Sequence, residues 1–169
     1  MKTPYNEIVN IASIGSQTNP ISLNEILRKA NDEQLTPAAQ NKERVLFLGI
    51  DVQQDFMDNG ALGVPGAHGD VERMTQFIYN NMDKITNIAV SIDTHTPHQI
   101  FHPCWWIDEN GNNPAPYTPI TLADLDSGKY RAVIYPRQSR DYVEHLEKDG
   151  KKTLCVWSYH CLQGTSGAA

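Results

Sequence analysis

Cysteine is scarce in this chain, and its three thiols, Cys104, Cys155 and Cys161, include no CxxC pair. That count and spacing exclude a disulfide framework and a zinc ribbon. Long apolar runs are also missing. The longest, VLFLGI and IAV, fall far short of the roughly 20 residues that span a bilayer, and the opening MKTPYNEIVNIASIGS has no signal-peptide core. A cytoplasmic location without a membrane partner is therefore expected. Basic residues are in deficit, 14 Lys and Arg against 20 Asp and Glu, for a net charge of −6. Such a balance offers no footprint for nucleic acid. Internal repeats and low-complexity tracts are absent as well. What is there, 40% hydrophobic and 20% charged residues in a chain of 169, suits one globular domain.

Residues 1–43 read as an extension of short polar segments. Within it, Ser22 and Glu25 stand at capping-box spacing ahead of Ile26 and Leu27, which predicts a short helix. Thr36 and Pro37 predict a second short helix or turn. The domain proper is expected over 44–169. VLFLGID is a continuous apolar run closed by Asp51, the pattern of a strand buried on both faces. DVERMTQFIYNNMDK spaces Val71, Met74, Ile78 and Met82 helically, with Asp70 as its cap. ITNIAVSID is again a strand, so a parallel crossover unit is expected. The proline-rich stretch from 94 to 140 reads as a long ordered excursion. A helix capped at Ser139 and stopped by Gly150 follows, and then TLCVWS as a third buried strand.

Ligands of open parallel sheets gather beyond the carboxyl ends of the strands. Those ends carry Asp51, then Asp93 with His95, then His160 with Cys161. Asp51 suits either a partly buried general base or a turn cap. Asp93 and His95, two apart on an extended segment, point to one side. A carboxylate and an imidazole so placed bind zinc, manganese or iron, with His98, His102 or the distant His160 completing the set. For His102, a hydrogen bond within a polar loop is the favoured role. Cys161 follows His160 directly and faces the other way, so the pair makes a poor nucleophile couple. Cys155 is expected in the core, and Cys104 buried against tryptophan.

Taken together, IDVQQDFMDNGALGVPGA, SIDTHTPHQIF and VWSYHCLQGTSGA resemble the isochorismatase-like cysteine hydrolases, and within them the nicotinamidases, from Arg44 to the end. The resemblance implies a three-layer α/β/α fold with a mostly parallel, Rossmann-like sheet. It makes Asp51 the base of an Asp-Lys-Cys triad and Asp93, His95 and His160 the ligands of a divalent metal, zinc first, with manganese or iron as the other candidates. For the family's further histidine near the metal, His98 aligns best and His102 is the rival. The implied reaction, one of NAD metabolism, is hydrolysis of a small-molecule amide through a cysteine acyl-enzyme, as from nicotinamide to nicotinate and ammonia. A homo-oligomer is left open. In that family the lysine and the nucleophilic cysteine follow the segment matched by HCLQGTSGA. The chain is therefore expected to be the N-terminal part of a longer hydrolase, cut as Ser166 caps a new helix, and poorly stable alone. The alternatives are an inactive form that binds a metal, a small ligand or a partner, and a related hydrolase with another substrate.

Overall fold

The computed structural model describes residues 1–169, the whole chain. They form two compact units, Met1–Asp93 and Thr94–Ala169, and mix helices with short strands in an α/β arrangement.

In the first unit, Ser22 starts helix α1 (Leu23–Asp32), its Oγ accepting the Glu25 N–H at 3.1 Å. Strands β1 (Leu46–Gly49) and β2 (Asn87–Val90) pair in parallel, Leu46 opposite Asn87 and Gly49 opposite Val90. Helix α2 (Ala67–Asn80) makes the crossover between them. It begins before the expected cap Asp70, because Gly66 takes φ 87°, a conformation open to glycine. Asp58 serves the first turn instead, accepting the N–H groups of Gly66 at 2.6 Å and His68 at 2.8 Å. Those donors, His68 foremost, hold the Asp58 carboxyl below its ordinary pKa.

Residues of the N-terminal extension belong to this unit through specific contacts. Buried Glu33 accepts the backbone N–H groups of Lys2 at 2.7 Å and Thr3 at 2.6 Å. Tyr79 donates its hydroxyl to the Thr3 carbonyl at 2.8 Å.

The expected burial of the first two strands on both faces does not occur. Leu46, Leu48 and Ile50 are exposed, as are Ile88, Val90 and Ile92. The physical reason is that two strands with one helix make no second covering layer; α2 reaches Phe47 through Phe77, with ring centroids 6.1 Å apart.

The second unit holds the core. Strand β3 (Trp106–Asp108) pairs antiparallel with β5 (Tyr130–Ala132), and β4 (Pro119–Ile120) antiparallel with β6 (Leu154–Cys155). Between β4 and β5, helix α3 (Leu122–Asp126) starts on a full capping box of Thr121 and Asp124. Helix α4 (Pro136–Lys148) then packs Val143 into a buried cluster with Trp106, Ile120, Ala132, Leu154 and Val156. The excursion is thus ordered, and it supplies strands of its own.

Three expectations are corrected here. Parallel pairing stops at two strands, because TLCVWS contributes only the two-residue β6, and β4 from the excursion takes it antiparallel. Ser139 is not a cap. Proline at the first position starts α4 earlier, and Ser139 sits buried inside the helix, where its Oγ accepts the Trp105 indole N–H at 2.9 Å. Ser166 begins a single 3-10 turn, Ser166–Ala168, without a side-chain cap.

Two predictions follow from this packing. Ile120→Ala, which empties a fully buried site, is expected to cost about 2–5 kcal/mol in urea unfolding, whereas Leu48→Ala on the exposed strand stays within about 0.5 kcal/mol. Equal effects would place the core elsewhere. The bonds from Thr3 and the Lys2 N–H lower the Glu33 carboxyl from 4.5 to about 2. Because the folded value is depressed, its contribution is present above the unfolded value near 4.5 and fades as pH falls toward about 2. Glu33→Gln should flatten the thermal stability profile across that acid window, and an unchanged profile would remove the role.

Candidate metal centre

Past β2 the chain runs extended to Asp93. Buried Gln53 clamps the backbone there, donating Nε2–H to the Asp93 carbonyl at 2.9 Å and accepting the Asp93 N–H at 2.6 Å. Two residues later His95 enters a backbone ladder of its own. Its N–H donates to the Cys161 carbonyl at 2.9 Å, and its carbonyl accepts the Gln163 N–H at 2.9 Å, a parallel bridge centred on Leu162. Cys161, with φ 47°, turns the chain beside His160. That left-handed conformation costs a non-glycine residue about 1–2 kcal/mol, and the bond from His95 helps to hold it.

These constraints bring Asp93, His95 and His160 together, with one ligand atom from each lying within 4.8 Å of the others. The His95 and His160 ring centroids are 4.9 Å apart. His160 is buried, and its Nδ1 lies 2.7 Å from the Ser158 carbonyl. A carbonyl only accepts, so Nδ1 donates there and Nε2 is the nitrogen that would ligate a metal. That is the tautomer and orientation in which histidine ligates metals, set by a bond to its other nitrogen. One carboxylate and two imidazoles match the three-donor sets of catalytic zinc and of non-haem iron(II), both of which leave coordination positions for another ligand. The residues therefore fit the implied metal.

The other expected site residues, His98, His102 and Asp51, are not among the three grouped donors. His98 is exposed. His102 is fully buried, its Nδ1 lying 3.1 Å from both the Thr96 and Pro97 carbonyls, and burial pushes its pKa below the ordinary imidazole value. Asp51 leaves β1 at φ 59° and is exposed rather than partly buried. It lines a cleft of about 310 Å³ in the first unit with Val52, Phe56, Met57, Val64 and Val71.

None of the three thiols is poised as a nucleophile. Cys161 is fully buried. Burial raises the pKa of Cys155. The Cys104 thiol donates to the Pro97 carbonyl at 3.1 Å, and its backbone N–H to the Tyr159 hydroxyl at 3.0 Å.

Gln53 is the supporting residue that sequence reasoning missed. Its signal was slight, the first polar residue after Asp51 in a loop, since nothing in residue spacing tells a clamp from a solvated amide.

Comparison of the chain with protein-family models, with curated proteins and with solved structures finds no match.

The geometry predicts one tight divalent ion per chain in equilibrium dialysis against zinc. His160→Ala should weaken binding by at least about 100-fold, and Gln53→Leu, which frees Asp93, by roughly 10–100-fold. Zinc retained at full affinity by His160→Ala would eliminate the site.

Proposed function

We propose that this chain carries the metal-binding part of a nicotinamidase-like amidohydrolase acting on a small carboxamide. The observation that carries the proposal is the convergence of Asp93, His95 and His160. The motif resemblance supports the reaction class, and the three-layer, Rossmann-like architecture belongs to the same proposal.

A divalent metal bound there would supply a Lewis-acidic anchor for a substrate heteroatom. The chain's own groups would do the rest. Asp93, His95 and His160 fix where the ligand's coordinating atom sits, with His160 locked by Ser158 and Asp93 by Gln53. By the motif resemblance, Asp51, two residues past β1, would be the general base.

A second reading is favoured by the state of the cysteines. With Cys161 buried, the Cys155 thiol half-buried and raised in pKa by desolvation, and the Cys104 thiol bonded to a carbonyl, the chain would bind a metal with its small ligand and not turn it over.

Ammonia release from nicotinamide by the zinc-loaded protein separates the two. Release that falls by at least about 100-fold in Asp51→Asn, as expected for loss of a general base, supports the amidohydrolase. Stoichiometric zinc with no ammonia selects the binding function.

A further inference from the structure

Three imidazoles, not two, crowd this region. The His102 ring lies 5.9 Å, centroid to centroid, from both the His95 and the His160 rings, and perpendicular to each. His102 is fully buried, and its Nδ1 is held between the Thr96 and Pro97 carbonyls. Both partners are acceptors, so Nδ1 bears the proton and Nε2 presents a lone pair. That Nε2 is buried and has no hydrogen-bond partner. Buried polar atoms are nearly always bonded, and exceptions call for a specific explanation. Nor does His102 belong to the close donor group of Asp93, His95 and His160, and its two-carbonyl anchor opposes turning the ring toward it. The result is a fixed acceptor on a ring 5.9 Å from two candidate metal-ligand rings, at a site where a bound metal would leave positions for another ligand.

We propose that His102 is a positioning residue. Its Nε2 accepts a hydrogen bond from an N–H or O–H next to the coordinating atom of the ligand held at the metal. The centre would thereby select ligands that pair a metal-binding lone pair with an adjacent donor over those offering a lone pair alone. This rests on the metal-centre reading above.

The test uses the zinc-loaded full chain and two probes. Pyrazole carries an N–H beside its coordinating nitrogen, and pyridine has none. His102→Asn retains an amide N–H where Nδ1–H stood and removes Nε2. Taking the ratio of pyrazole to pyridine affinity cancels any general change in the metal. In His102→Asn this ratio is expected to fall roughly fivefold, the worth of one hydrogen bond, while zinc affinity stays within about twofold.

An unchanged ratio overturns the proposal. So does a large loss of zinc affinity in His102→Asn, which would make His102 a ligand instead. Failure of the wild-type chain to bind zinc overturns the metal reading itself, and is seen before any probe is added. Nitrogen-15 spectra of the wild-type chain give a measurement free of any variant. His102 should show a protonated Nδ1 and a bare Nε2 whose signal shifts with pyrazole and not with pyridine; the opposite tautomer, or no difference between the probes, refutes the assignment.

Discussion

The short backbone ladder that joins His95 to the Cys161–Gln163 turn is the constraint on which the candidate metal centre depends. Two hydrogen bonds of 2.9 Å fix the two segments side by side, although 64 residues lie between His95 and His160. Side chains alone would hold such a pair poorly, because each histidine must surrender rotamer freedom as well as meet its partner. With the main chain paired, only the rings remain to be set. The Ser158 carbonyl sets one of them.

The core of the second unit stiffens the same ladder. Val156 lies in the buried cluster, and the next residue, Trp157, donates its N–H to the Phe101 carbonyl at 2.7 Å. The strand end leading to His160 is therefore tied to the loop that carries His102. The first unit contributes differently. It buries few apolar side chains, and its order around Asp93 comes from a polar clamp, the paired bonds of Gln53. A buried amide that gives and accepts one bond to the same residue is well satisfied, and its loss would strand two backbone groups.

Much of this was legible in the sequence where one physical rule dominated. Apolar runs located β1 and β2, Ser22 located α1, and the spacing of Asp93 and His95 put two candidate donors side by side. The rules failed where tertiary partners decide. TLCVWS is apolar enough for a buried parallel strand, yet its backbone pairs antiparallel with Pro119 and Ile120, from a stretch without periodicity. Ser139 has the residue type of a cap, but Pro136 already begins the helix. Asp58 serves α2 from outside the pattern that pointed to Asp70. His102 resembled any loop histidine, and only its burial and the two carbonyls at its Nδ1 distinguish it from exposed His98.

The proposed ion would be held by one carboxylate and two imidazoles, Asp93, His95 and His160. An anomalous difference map at the zinc edge, from crystals of the full chain grown with equimolar zinc, addresses it most directly. One strong peak bonded to Asp93, His95 and His160 is expected, at roughly 2.0–2.2 Å from each donor atom. A map with no peak there, or with its strongest peak at another group such as Asp58 and His68, would contradict it.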